Sequence, residues 1–544
     1  MNSVVVALVS LVLFAAGYRY YEAKMKSVWK ISKDNVTPAH EKYNGVDFVP
    51  ARNWFFLFGH HFSSIAGAGP ILGPVIACAI WGWLPALVWV VLGSVFIGGP
   101  HDFSALMISV RNGGASIADV SEELLGRTAR FFFSVFIFLA LILVIAVFAI
   151  VTAKTLIATP QIVIPTFGLI FVAVLTGVML YRWKMNAAAA TVIGLALMAL
   201  LVAAGQKYPL GLNCAEPLRV WILVLLVYAG TASVLPVNIL LQPRDYLSSY
   251  FLFAGLLMGY AGIFISHPVI NAPAVVLFGT DKGFVWPTLC IIVACGAISG
   301  FHSLVASGTT SKQISDERDA FKIGYGTMIL EGILAVLAII AVTAGLGWTG
   351  AGSYPAMVSG GDWIGTFAAG FGNISRPVAG KWGFVFAMIM LNAFVMTTLD
   401  SATRITRYIG QELFGGFLKI RILKNSFAVT ALILVAVWWF STGPQARIWP
   451  LFGASNQLIA ALGLLVAAAY LFAKKKPAAH IVVPGVFMLV TTIAALVFEM
   501  IRNFGENTFL FTLAFFLLAM AFFMIIAAAK QILKERAKSS GGRQ

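Results

Sequence analysis

Residues 60–74, HHFSSIAGAGPILGP, put two histidines, two serines and a glycine- and proline-punctuated stretch inside an apolar run. His60, Ser63 or Ser64, and Gly67 fall at i, i+3 or i+4, and i+7, so on a helix they share one face. That face must meet a cavity or a neighbouring helix. The stretch from Gly67 through Ala68 and Gly69 to Pro70 would free amide N–H groups at the start of a new half-helix, whose positive dipole end suits a carboxylate or another small anion. His60, His61, Ser63, Ser64, Gly67, Ala68 and Gly69 are therefore candidates for substrate binding. An imidazole titrates near neutral pH, so one histidine is also a candidate proton carrier; the plainer alternative is a hydrogen bond to a neighbouring helix. Adjacent histidines diverge by about 100° around a helix, whereas zinc-binding pairs use i, i+4 spacing, and no metal site is expected.

The segment SGFHSLVASGTTSKQ brings His302, Ser303, Ser307, Thr309 and Thr310 together near one end of a span. Hydroxyl and carbonyl oxygens are hard ligands that suit Na+ or line a proton path where the helix is irregular, and the alternative is hydroxyls bonding back to their own helix. Glu331 lies nine residues beyond Lys322, which places it about 13 Å into a bilayer. An ionisable group at that depth is a functional candidate, with a structural hydrogen bond as the alternative. Asp400 has Arg404 at i+4 and Arg407 at i+7, the spacing of a helix-end salt bridge. Asp102, after GGPH, and Asp245, beside Arg244, read as interfacial. No Walker motif, nucleophile elbow or dinucleotide fingerprint is present, which speaks against ATP-driven transport by this chain alone.

These groups need spans to hold them. Of the 544 residues, 60% are hydrophobic and 11% charged, with mean hydropathy +0.91, which is far from a soluble domain. Apolar runs of transmembrane length recur to give about fifteen spans, so the fold class is an all-α polytopic membrane bundle. A net charge of +16 raises nucleic acid as a partner. The basic residues lie in short connections, however, where they set topology; membrane lipid and a small-molecule substrate are the expected partners, with no nucleic acid. The first run has no basic residue before it and Lys24, Lys26, Lys30 and Lys33 after it, so the N-terminus is expected outside and the C-terminus in the cytoplasm. Cys78, Cys214, Cys290 and Cys295 show no metal-ligand spacing.

Glycine and proline inside a span free backbone groups that hydrocarbon cannot satisfy. The second span carries AGAGP at 66–70 and the seventh carries YAGTASVLP at 228–236, which adds Gly230, Thr231 and Ser233 to the substrate-binding candidates. The two stretches are five spans apart and run in opposite directions, the layout of a five-plus-five inverted repeat. On this reading an added helix occupies 1–20, a cytoplasmic loop 21–52, the first repeat 53–204, the second 205–410, peripheral helices 411–530 and a basic tail 531–544. The polar segment 109–130 reads as a cytoplasmic loop with an amphipathic helix from about Ile117.

The motifs VDFVPARNWFFLFGHHFSSIAGAGPILGPVIA, GPHDFSALMISVRNGG, SGFHSLVASGTTSKQ, TTLDSATRITRYIGQE and WPLFGASNQLIAA together resemble the carbon starvation protein A family of bacterial inner-membrane transporters. The resemblance implies the fold of the amino acid-polyamine-organocation superfamily and uptake of peptides or of pyruvate with protons during nutrient limitation. It carries over His60, His61, Ser63, Ser64, Gly67, Gly69, His302, Ser303, Thr309, Thr310 and Asp400, and adds Asn456. The expected function is thus a cation-coupled secondary transporter. His302, Ser303, Ser307, Thr309, Thr310 and Glu331 would serve H+ or Na+ coupling, Asp102, Asp400, Arg404 and Asn456 structure or gating, and no cofactor is needed. A pyruvate-sized monocarboxylate needs one half-helix N-terminus; a peptide needs a larger cavity and an acid for its amino group. The scarcity of deep acids favours the monocarboxylate. A metal-dependent membrane enzyme and a nutrient sensor without flux are the competing readings.

Overall fold

The computed structural model describes residues 1–280, 283–443 and 449–541, and the side chains of the basic tail 531–544 lie outside the described residues. Among the described residues, thirteen helices are long and apolar enough to cross a membrane. They are α1 (Ser3–Trp29), the pair α2 (Trp54–Ala66) and α3 (Gly69–Trp81), α4 (Trp83–Arg111), α6 (Arg127–Ala158), α7 (Pro160–Arg182), α8 (Ala187–Lys207), α9 (Pro217–Val234), α10 (Leu241–Ser266), α13 (Glu317–Gly345), α16 (Arg376–Phe417), α18 (Trp449–Ala473), α19 (Ala479–Asn503) and α20 (Thr508–Gly541). Two of the fifteen expected spans differ in kind. The ninth is interrupted, as α11 (285–292) and α12 (Gly300–Gly308), and the twelfth is a shorter apolar helix, α17 (Ser426–Thr442). Short helices outside the spans include amphipathic α5 (Ile117–Leu125), α14 (Tyr354–Ser359) and α15 (Trp363–Ile374).

The second span breaks where its glycines predict. Gly67 ends α2 with φ +50°, a conformation that costs an L side chain dearly, and Pro70 sits in the first turn of α3, where its missing N–H is not needed. The seventh span does not break: α9 runs on to Val234 and simply ends there. The second interruption is instead residues 293–299, between α11 and α12. The two broken helices run antiparallel. Ala51, just before α2, donates its N–H to the Gln313 carbonyl beyond α12 at 2.8 Å, while at the far end the Trp81 indole donates to the Gly283 carbonyl just before α11. They touch so closely that a Cβ on Gly69 would stand 2.4 Å from the Cys295 Sγ, and one on Gly73 2.6 Å from the Ile292 carbonyl.

Packing follows a regular exchange. α2 lies against α10 as α11 lies against α18; α3 lies against α13 as α12 lies against α4. α9 meets α16 as α17 meets α6, and α10 meets α16 as α18 meets α6. Three contacts, α4 with α13, α6 with α16, and α9 with α17, join like to like across the pattern. The hairpin α7–α8 stands outside it, packed at the periphery on α10. The connections bearing Lys24 to Lys33, Arg52, Lys312 and Lys474 to Lys476 gather at one end of the bundle, called here the basic end: Lys476 lies over the Trp29 ring at 5.4 Å, and Arg52 donates to the Met185 carbonyl.

Candidate functional site

The Gly67–Gly69 break is roofed by aromatic rings. A Cβ on Gly67 would stand 3.1 Å from the Phe148 ring of α6 and 3.1 Å from the Thr398 Oγ1 of α16. Thr398 donates to the Ser64 carbonyl at 3.0 Å, and the Ser64 hydroxyl meets Ser401 at 2.9 Å, so α16 satisfies the end of α2 that the break leaves open. The second interruption is held from α18. Asn456 Oδ1 accepts from the Phe301 N–H at 2.8 Å, capping α12, while its amide donates to the Ser299 hydroxyl at 3.0 Å. Asn456→Ala removes this cap and strands a buried N–H. We expect a loss of about 1–3 kcal/mol, read as a lower melting temperature in detergent, with Asn456→Asp recovering most of it.

Two buried histidine–carboxylate clusters flank the breaks. In the first, His302 of α12 faces Asp102 of α4 through Nδ1 at 2.8 Å and Glu331 of α13 through Nε2 at 3.2 Å. Asp102 also meets His101 Nδ1 at 2.7 Å through its other oxygen, and all four side chains are buried. Among the described residues the Glu331 carboxyl has no hydrogen-bond partner beyond this contact. A neutral ring that gives its Nδ1 proton to Asp102 presents a lone pair to Glu331, so the contact is attractive only if one further proton sits on His302 or on Glu331. The His302–Glu331 pair is thus placed so that one proton can be shared between Nε2 and a carboxylate oxygen.

The second cluster joins α2, α10 and α16. His60 Nδ1 meets Asp245 at 2.6 Å, and its Nε2 lies 3.2 Å from the Gln313 amide, which suits a neutral ring donating from Nδ1. Arg244, 2% exposed, pairs with Asp245 at 3.0 Å and with Asp400, and Tyr228 of α9 donates to Asp400 at 2.6 Å. Asp102 and Asp245 are therefore in the core, and the expectation that they are interfacial is corrected: each has a buried cationic or imidazole partner that lets it leave water. The expected salt bridge of Asp400 with Arg404 and Arg407 is also corrected. Arg404 instead reaches Asp47 at 3.0 Å and the Ala232 carbonyl at 2.8 Å, tying the segment before α2 to α16 and α9 at the basic end. Lys312 completes that end, its amino group 4.2 Å from the Tyr408 ring centre, and burial holds its ammonium below the usual lysine range.

The remaining candidates divide. His61 Nδ1 meets Thr310 at 2.7 Å, and Ser63 donates to the Asp245 carbonyl, so Ser63 joins the second cluster and neither side chain is bonded at the break. Ser303, Ser307 and Thr309 donate back to carbonyls of their own helix at 2.7, 2.7 and 3.0 Å. Gly230, Thr231 and Ser233 are not at a break: Gly230 faces Leu434 of α17, Ser233 meets Thr430, and Thr231 is exposed and bonded to the Val227 carbonyl. Arg244, Tyr228, His101 and Gln313 belong to the clusters yet stood outside the candidate set; an arginine inside an apolar run was the available signal for the first. Among the described residues no trio of His, Cys, Asp or Glu is placed to hold a metal ion.

At the far end a cavity of about 600 Å³ opens between α3, α6, α15, α18 and the α19–α20 turn. Phe148, beside the Gly67 break, meets Phe452 of α18, ring centres 5.7 Å apart. Above them, Phe452 contacts Trp449 at 5.5 Å and Trp449 contacts Trp363 at 5.7 Å, a ladder of rings from the break to the cavity.

A family model described as carbon starvation protein CstA matches residues 2–359 and 353–495. The peptide transporter CstA of Bacillus subtilis is 32% identical over 86% of this chain and 85% of its own length, and the pyruvate/proton symporter BtsT of Escherichia coli is 32% identical over 91% and 81%. Among solved structures, a manganese transporter from Eremococcus coleocola superposes with TM-score 0.52, covering 91% of this chain and 99% of that one at 12% identity. MhsT in complex with L-phenylalanine superposes with TM-score 0.51 over 89% and 98% at 12% identity. These two likenesses establish a shared fold.

Proposed function

We propose, from the premise that this chain belongs to the carbon starvation protein CstA family, that it is a secondary transporter taking up a small carboxylate-bearing nutrient with protons. The observation that carries the reading is the antiparallel pair of interrupted helices, α2/α3 and α11/α12, touching at Gly69 and Cys295. In such pairs the freed half-helix ends bind the substrate, and rocking of one half of the bundle against the other alternates access. The exchange in packing supports halves of 54–266 and 285–473, with 160–207 inserted, in place of 53–204 and 205–410. The basic end is assigned to the cytoplasm by its lysines and arginines, which puts the N-terminus outside and the C-terminus inside the bacterial inner membrane. The charged contacts of Asp47, Arg404 and Lys312 then close the inner side while the cavity opens outward.

The proton is favoured over Na+ because a proton shared by His302 and Glu331 makes their buried contact attractive, whereas Ser303, Ser307 and Thr309 are oriented by bonds to their own helix and Thr310 by His61. Relatives named as transporters also favour flux over catalysis. Uptake of labelled pyruvate and of a labelled dipeptide into proteoliposomes, under an imposed proton or Na+ gradient, tests the reading. Accumulation driven by the proton gradient is expected. No uptake above empty vesicles under either gradient would overturn transport, and accumulation driven only by Na+ would overturn proton coupling.

A further inference from the structure

The second cluster is one proton short of neutrality. Among the described residues Arg244 is the one cation paired with Asp245 and Asp400, so with His60 neutral the buried group carries one excess negative charge. A proton on His60 removes that excess. The titratable neighbours are otherwise His61, next along α2, and Tyr228, which donates to Asp400. A chain of side chains leads from the His60 ring to the basic end. The Tyr181 hydroxyl, in the last turn of α7, donates to Gln242 Oε1 of α10 at 2.7 Å; Gln242 Nε2 donates to Gln313 Oε1 at 2.7 Å, and Gln313 Nε2 to His60 Nε2 at 3.2 Å. Gln242 and Gln313 are buried, and Tyr181 is half-buried.

An amide has donors on one atom and an acceptor on the other, so this chain has a direction. A neutral His60 with a free Nε2 lone pair calls for the Gln313 N–H. Gln313 then turns its oxygen to Gln242, and Gln242 its oxygen to Tyr181, which must donate. A ring protonated on both nitrogens calls for the Gln313 oxygen instead, and each link reverses until Tyr181 must accept. The direction present also lets Gln313 Nε2 reach the Thr309 carbonyl at 3.2 Å and Gln242 Nε2 the Val49 carbonyl at 3.5 Å. Reversal withdraws both donors. Val49 stands two residues from Asp47, whose pair with Arg404 closes the inner side.

We propose that His60 is a regulatory proton site, separate from the His302–Glu331 contact, which takes its proton from the basic end and loosens the inner closure by reversing the Gln313–Gln242–Tyr181 chain. His60 lies six residues into α2 from the basic end, about 9 Å along the helix, on the inner side of the Gly67 break. The proton is bound and released on that one side. It therefore sets how readily the inner side opens and leaves the ratio of protons to substrate unchanged. The proton site stands on the geometry alone, and its effect on closure rests on the transport reading.

Infrared difference spectra of the full chain in liposomes, taken between about pH 8 and about pH 5 where histidines titrate, test the site without substrate. The wild type is expected to show an imidazolium signal that is lost in His60→Gln, together with a shift of a tyrosine C–O band that is lost in Tyr181→Phe. Gln313→Leu cuts the chain between them and is expected to keep the first signal and lose the second. Absence of a His60-dependent signal would overturn the proton site. A tyrosine shift that survives Gln313→Leu, or none that depends on Tyr181, would overturn the relay. Tyr181→Phe removes a single half-buried hydroxyl and carries the functional test. In right-side-out membrane vesicles, exchange of labelled pyruvate or dipeptide is expected to quicken several-fold when the lumen is acidified, and to lose that response in Tyr181→Phe while proton-driven accumulation reaches the wild-type level. Equal responses in the two proteins would overturn the effect on closure. The spectral response without any exchange would overturn the transport reading and the role in closure, and leave the proton site standing.

Discussion

Glu331→Gln is expected to abolish accumulation driven by a proton gradient while exchange of labelled for unlabelled substrate at zero gradient continues at a rate of the same order as the wild type. The glutamine amide donates permanently to His302 Nε2, so the variant mimics the proton-loaded state and has nothing to release. Proton loading and unloading are the steps that tie net flux to the gradient, whereas exchange needs only the loaded carrier to change sides. Each pH unit stores about 1.4 kcal/mol per proton, enough for about ten-fold accumulation, and this is the quantity the variant forfeits. Accumulation at the wild-type level under a pH gradient would move the coupling proton elsewhere. Asp102→Asn is the companion, since it removes the carboxylate shared by His101 and His302 and changes the ring that faces Glu331 without touching Glu331 itself.

Arg244→Gln is expected to cost the fold more than any other single change in the clusters. Its guanidinium stands between Asp245 and Asp400, all three side chains buried, and its loss leaves two carboxylates without their cation. Breaking a buried pair by removing one partner costs about 3–5 kcal/mol. The expected result is a large fall in the yield of folded protein and in the melting temperature in detergent. Adding Asp400→Asn to Arg244→Gln relieves one stranded charge and is expected to recover part of the loss, which a purely steric role for Arg244 would not allow. A variant as stable as the wild type would show that the carboxylates are neutral without it.

The spans were legible because an apolar run of about twenty residues has few other uses; even the two that differ in kind, 285–308 and Ser426–Thr442, were located. The first break was legible because Gly67 and Pro70 act locally, through backbone freedom and a missing donor. The second was misplaced for the complementary reason. YAGTASVLP looks breakable, but its Gly230 serves close packing against Leu434, while VACGAIS at 293–299 has one glycine and no proline and is held open by Asn456 from far along the chain. A cap supplied by tertiary structure leaves no local mark. The same holds for the acids: Asp400 sits at ideal spacing for Arg404, yet Arg244 on another helix takes it, and Asp47 takes Arg404. Spacing lists the partners that a helix offers, and burial decides among them.

The peripheral hairpin α7–α8 has an energetic meaning. Two halves related by an exact two-fold would make the outward- and inward-facing forms mirror arrangements of the same contacts, equal in free energy without substrate or gradient. Because the hairpin rests on α10, and α17 follows α16 with no such insertion, only one half carries it. The degeneracy is lifted, and the resting occupancy of the two forms becomes a property written into the chain, adjustable by substitutions on a lipid-facing helix that touches neither substrate nor proton.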